Sequence, residues 1–201
     1  MLFFAGARWG YFLQLSAGTL PALCYFAVFQ VAYRRDRMLA FLDPMNAEGP
    51  AGYHLRQSFI AIGSGGMSGV GLGQSHAKMA FLPEKHTDFI FAALSEELGF
   101  VGAAAVLLLY AGVIFMALRI ASTSHSHFGR LGSAGVTATF ALYVLINGAM
   151  VMGMAPVVGV PMPLLSYGGT VMLTVMIGFG LVLSTRVHRY SEVTSGRGSL
   201  L

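Results

Sequence analysis

Charge is what this chain has least of. Asp, Glu, Lys and Arg make up 10% of its 201 residues, against about 25% in soluble domains. Cysteine is nearly absent as well. The lone Cys24 excludes an intramolecular disulfide and leaves the redox compartment unmarked. The segment after Met1 lacks the basic region, short apolar core and cleavage pattern of a signal peptide. No Gly-Lys-Ser/Thr closes a P-loop, and the glycines between 63 and 73 do not complete Gly-x-Gly-x-x-Gly. What is present is apolar: 56% of residues are hydrophobic and mean hydropathy is +0.71. This is an integral membrane protein, all-α and polytopic, with its 12 methionines serving as lipid-facing or core filler.

Charge-free runs set the crossings, each needing about 20 residues. Trp9 to Tyr33 is the first, kinked at Pro21, and Leu98 to Leu118 is the second. Leu131 to Thr185 carries no charge and is long enough for two more. Its break falls between Ala155 and Gly169, because Pro156, Pro161 and Pro163 cannot share one helix interior. Residues 38–58, with Asp43-Pro44 and Gly49-Pro50, read as a polar loop holding a short amphipathic piece at most. The glycine-rich stretch from Gln57 to Gly73 is too interrupted to span and reads as re-entrant or surface-lying. Four spans in one membrane domain (1–201) result, with a large loop region at 34–97 and a flexible tail at 190–201.

Basic residues in short loops orient such a protein. The Arg119–Arg130 turn and the tail with Arg186 and Arg189 fall on one side by parity, which is expected to be cytoplasmic. Region 34–97 then faces outward, holding six of the twelve basic residues and seven of the eight acidic ones. Arg34, Arg35 and Arg37 sit on the unfavoured side. They suit either an anionic partner such as a lipid diphosphate or a snorkelling anchor at headgroups.

Five charged residues, Glu84, Lys85, Asp88, Glu96 and Glu97, crowd the entrance of the second span. Such a cluster is costly unless wet, paired or used. Asp88 stands just before Phe89-Ile-Phe91, where partial desolvation favours a general base; Thr87 or Asp88 can equally cap the following helix. Glu84, His86 and Asp88 offer three mixed ligands to a metal, a weak pattern. Glu96 and Glu97 read as structurally paired. Gly65, Gly69 and Gly73 have the spacing of close packing more than of a ligand loop. Ser166-Tyr-Gly-Gly169 is a loop-to-helix entry that could cap or meet an anion.

Several blocks in series resemble one family. They are Arg37-Met-Leu-Ala-Phe-Leu-Asp-Pro44, Gly52-Tyr-His-Leu-Arg-Gln-Ser58, Ile62-Gly-Ser-Gly-Gly66, Phe81-Leu-Pro-Glu-Lys-His-Thr-Asp-Phe-Ile-Phe91, Glu96-Glu-Leu-Gly99 and Pro161-Met-Pro-Leu-Leu-Ser-Tyr-Gly-Gly169. In this order they are similar to the C-terminal half of the SEDS proteins, the RodA and FtsW peptidoglycan polymerases, over about Trp9 to Arg189. The Pro156–Pro161 loop is RodA-like and Gly69–Gly73 more FtsW-like, with the balance toward RodA.

The resemblance implies an inverting glycosyltransferase of the bacterial inner membrane that polymerises lipid II for elongation or division. Asp88 would be the base that deprotonates the acceptor 4-hydroxyl. Glu84, Lys85, His86, Thr87 and Ser166 would contact substrate or support the base, and Arg34, Arg35 and Arg37 would meet the diphosphate. The resemblance fixes no cofactor, and a divalent cation is compatible. The partner implied is a class B penicillin-binding transpeptidase, with other elongation or division proteins. Family members have about ten spans, so four imply an incomplete cavity, as expected of a fragment, a truncated gene product or a mis-called start. A lipid II flippase and a non-catalytic scaffold for wall synthesis remain the alternatives. A flippase needs a polar path through both faces, and the acids here gather at one.

Overall fold

A computed structural model describes residues 10, 14, 17–19, 21, 32–46, 49–75 and 88–188. Their regular structure is entirely helical: α1 (Ala32–Leu42), α2 (Pro50–Gly65), α3 (Ile90–Thr123), α4 (His127–Val151) and α5 (Gly169–Val187). Most of the first expected span, residues 84–87 and the 190–201 tail lie outside the described residues.

Helices α3, α4 and α5 are long and apolar enough to cross a membrane, with mean hydropathies of 2.4, 1.6 and 1.7. From Gly99 to its end α3 runs about 36 Å at 1.5 Å per residue, which covers a hydrocarbon core of about 30 Å. Leu109, Met116 and Ile177 are each more than 60% exposed, an outward apolar face that suits lipid or further helices and not water. Threonine hydroxyls within these spans bond back to their own helices. Thr137 donates to Ser133 O at 2.7 Å and Thr174 to Thr170 O at 2.8 Å, so no polar group faces hydrocarbon on their account. Ser126 starts α4 by accepting from the Gly129 N–H.

The core lies toward the end of the bundle where α2 joins it. Leu55, Phe89, Phe91, Phe140, Met150, Val151 and Met162 are buried together there. Ser58 donates to Val151 O at 2.8 Å and fastens α2 to the end of α4. A smaller cluster of Ala117, Ile120 and Val182 closes the opposite end.

Region 38–58 departs from the expected loop. It folds as the end of α1, a short turn and most of α2. Gly49-Pro50 is a helix start: Pro50 takes the first helical position, where its fixed φ fits and its missing N–H costs nothing. The turn at Asp43 is real, since Asn46 donates to its carboxylate from both backbone and side chain.

The glycine-rich stretch is half helix and half irregular chain, and its irregular half is built onto a break in α3. Gly99 has φ 67° and ψ −168°, inside an otherwise continuous helix. Such a break removes the bonds from Phe100 N–H to Glu96 O and from Val101 N–H to Glu97 O. Each freed group finds a new partner. Phe100 and Val101 donate to Gly66 O and Met67 O at 2.9 and 3.3 Å, while Val70 and Gly71 donate to Glu96 O and Glu97 O at 3.0 and 3.2 Å. The carboxyl groups of the same two residues reinforce the seam. Buried Glu96 accepts from the Ser75 hydroxyl, and Glu97 accepts from the Gly73 N–H at 3.1 Å.

Glycine is required for the seam to close. A Cβ on Gly99 would stand 2.3 Å from Gly69 N, and one on Gly69 would stand 2.1 Å from Glu97 O. Close packing is thus the role of Gly65 and Gly69, whereas Gly73 has open space around it. Gly99→Ala is expected to destabilise the protein by about 2 kcal/mol or more, through a left-handed φ and a backbone clash. Gly112→Ala, with nothing within 4 Å of the added carbon, is the control. Thermal unfolding in detergent checks this, and equal midpoints for the two variants would refute the seam's importance.

Candidate functional site

Asp88 is half-buried and immediately precedes α3. The helix does not use it as a cap. Its N-cap is Phe89, which has no side-chain cap bond, and Phe89 O receives the Ala92 and Ala93 N–H groups. The expectation that Thr87 or Asp88 caps the helix is therefore corrected for Asp88, and Thr87 lies outside the described residues. Phe89 is only 2% exposed and stacks on His54 of α2, ring centres 5.8 Å apart. The anchor is thus the residue after Asp88, and the Asp88 side chain faces a different surface.

That surface is the proline-rich connection between α4 and α5. Gly159 has φ +78°, and a Cβ built on it would lie 3.3 Å from Asp88 Oδ2 and 3.9 Å from Arg37 Nη1. The space beside Gly159 that a side chain would fill is therefore lined by a carboxyl from α3's entrance and a guanidinium from α1. A side chain at 159 would be strained by its φ and would push between the two. Arg37 Nη1 also donates to Val157 O at 2.9 Å, across 120 residues of sequence. The Arg37 side chain is half-buried.

Asn147, in α4, completes the arrangement. It is fully buried, and its Nδ2 donates to Asp88 O and to Val160 O, both at 2.7 Å. Further along the connection the Tyr110 hydroxyl donates to Pro163 O. The Ser166 N–H then closes a turn on Met162 O at 2.9 Å. The Ser166 hydroxyl is buried and has no hydrogen-bond partner among the described residues. Ser166 sits in that following turn, beyond the Gly159 contact with Asp88 and Arg37.

Of the expected site residues, Asp88 and Arg37 are brought together. Arg34 and Arg35 lie on α1, in the turn before Arg37. Glu84, Lys85, His86 and Thr87 lie outside the described residues, and so does any metal set that would use Glu84 and His86. Among the described residues no group of His, Cys, Asp and Glu could hold a metal. Glu96 and Glu97 point to the glycine seam, in keeping with the structural role expected of them. Asn147, Gly159 and Tyr110 were not singled out by sequence. Asn147 left a trace, being the sole side-chain amide in the charge-free run from Leu131 to Thr185.

Known proteins share this sequence and this fold. A chain in a solved structure of a peptidoglycan synthase complex, described for coordinating polymerization and crosslinking, superposes with TM-score 0.73 at 29% identity, over 94% of this chain and 52% of that one. Peptidoglycan glycosyltransferase MrdB of Escherichia coli K12 is 45% identical over 193 residues, covering 94% of this chain and 52% of MrdB. Stage V sporulation protein E of Bacillus subtilis is 39% identical over 192 residues, covering 96% of this chain and 52% of that protein. A probable peptidoglycan glycosyltransferase FtsW of Geobacter sp. M18 is 39% identical over 190 residues, covering 94% and 52%. The chain spans about half the length of these relatives. A family model for cell cycle proteins, FtsW/RodA/SpoVE, matches residues 1–191, and the chain is a member of that family of multi-pass membrane proteins.

Proposed function

We propose that this chain carries the base-bearing face of an inverting peptidoglycan glycosyltransferase that polymerises lipid II, and that Asp88 is the base. The observation that carries the reading is the convergence of Asp88 and Arg37 on one point beside Gly159 of the α4–α5 connection, each within 4 Å of where a Cβ would stand. It places a carboxyl group beside a cation, outside the crossing part of α3. The names of the relatives support the reaction class.

In the step proposed, the Asp88 carboxylate takes the proton of the acceptor sugar's 4-hydroxyl. The oxygen attacks the donor's anomeric carbon from the face opposite the diphosphate. A new C–O bond forms as the bond to the lipid diphosphate breaks, and the α-linked donor becomes a β-1,4 link. The diphosphate leaves as an anion, and guanidinium groups are suited to it because they can offer paired donors to phosphate oxygens. Arg37 is the first candidate, with Arg34 and Arg35 in the preceding turn of α1. A divalent cation carried on the diphosphate would share that charge. Glu84, Lys85, His86, Thr87 and Ser166 are further candidates for substrate contact.

The site is proposed to face outward, with the Arg119–Arg130 turn and the C-terminus cytoplasmic. Arg119, Arg130 and Arg186 are exposed at the far ends of α3, α4 and α5 from Asp88, in agreement with the positive-inside tendency. A class B penicillin-binding transpeptidase is the proposed partner, supported by the likeness to a chain of a complex that polymerises and crosslinks.

A protein in which this chain replaces the matching half of E. coli MrdB provides the test, with purified lipid II as substrate. Asp88→Asn is expected to lower glycan synthesis by at least about 100-fold, the lower end of what a positioned general base contributes, while membrane insertion is retained. Normal polymer from that variant would refute the assignment, and lipid translocation without polymer from the unaltered chain would favour a transporter. Arg37→Lys keeps the charge but loses the fork, and a fall in turnover of about tenfold is expected. Unchanged turnover would confine Arg37 to holding the connection at Val157.

A further inference from the structure

We propose that Asn147 is a positioning residue for Asp88, acting through backbone and touching no substrate. The proposal rests on the reading of Asp88 as the base. Its ground is a pair of bonds: a side-chain amide nitrogen has two hydrogens, and here both are spent. One goes to Asp88 O and the other to Val160 O, each at 2.7 Å. The residue is completely buried, and Val144, Met150 and Val151 near it in the same helix are buried too. Its Oδ1 has no hydrogen-bond partner among the described residues. The oxygen therefore goes unused while the NH2 group is fully used, and the opposite amide orientation would face an oxygen toward two carbonyls.

The two carbonyls belong to the two sides of the site. Asp88 is the residue that bears the carboxyl. Val160 follows Gly159, the residue against which that carboxyl rests at 3.3 Å from the Cβ position. A single nitrogen of α4 thus sets the spacing between the acid's own backbone and the backbone that faces its side chain. Arg37 fixes the same connection from the other side, through Val157 O. Without Asn147, the start of α3 and the connection would still be held by Phe89 and Arg37, but no longer at one shared point. A misplacement of about 1 Å at a reacting group can cost about 100-fold in rate.

The test uses the MrdB chimera with purified lipid II. Asn147→Leu keeps the volume and removes both donors. It is expected to lower turnover by about 10- to 100-fold with KM changed by less than about threefold. Asn147→Ser, smaller and with one donor, is expected to fall between, and it serves if the leucine variant does not fold. Ser58→Ala removes an equally buried bond to Val151 O that has no part in the site, and turnover per folded molecule should stay within about threefold. A merely structural Asn147 would behave like Ser58, losing folded protein without the selective loss of turnover. That result, wild-type turnover in Asn147→Ser, or a loss seen only in KM would overturn the proposal. Inactive Asp88→Asn beside normal Asn147→Leu sinks the positioning role alone, whereas active Asp88→Asn sinks the function on which it rests.

Discussion

The peptide groups of a membrane protein must find partners inside the protein, because lipid offers none, and the break in α3 is where this demand is sharpest. A helix that stops hydrogen-bonding at Gly99 exposes two carbonyls and two N–H groups at once. The irregular chain from Gly66 to Gly71 supplies two acceptors and two donors in matching order. These four groups are thereby re-paired within the protein. The exchange also explains why so much of this region is glycine. Backbone can meet backbone across the seam only where neither side carries a Cβ, as Gly65, Gly69 and Gly99 attest. The entrance of α3, with Asp88 in front of it, takes its direction from this closure.

The connection between α4 and α5 solves the same problem with different means. Prolines at 156, 161 and 163 remove donors from a segment that keeps all its carbonyls. Side chains from three helices supply what the backbone lacks: Arg37 for Val157, Asn147 for Val160 and Tyr110 for Pro163. A strongly apolar bundle thus holds an irregular segment against α1, α3 and α4 through a few buried donors. The site is the place where two of those donors, Arg37 and Asn147, also reach Asp88 or the residue facing it.

The spans were legible because charge is scarce. A crossing helix excludes charge over about 20 residues, and the uncharged runs mark α4 and α5 to within a few residues of their ends, whereas α3 begins at Ile90, well ahead of the expected Leu98. Asp88 stood out for the same reason, as an acid at an apolar boundary. Less could be read where one signal has two meanings. Gly49-Pro50 marks a turn or a helix start, and only the packing of α2 against α3 decides between them. Gly65, Gly69 and Gly73 share one spacing, yet the first two meet backbone and the third does not. Asn147 was hardest to interpret, because the two carbonyls it serves lie 59 and 13 residues away. An isolated amide in a hydrophobic run announces a buried partner without naming it.

The long reach of those bonds bears on how the protein is made. A chain is synthesised from its N-terminal end, and segments settle as they emerge. The glycine seam joins stretches close in sequence and can close early, once α3 has entered the membrane. Arg37 and Asp88 are by then long since translated, but Arg37 must wait for a carbonyl 120 positions downstream. Asp88 waits on an asparagine 59 positions away. The arrangement around Gly159 therefore comes together only after α4 has been delivered and the chain has turned back toward the same face. A ribosome that stalls before residue 160 leaves the acid in place with nothing yet opposite it.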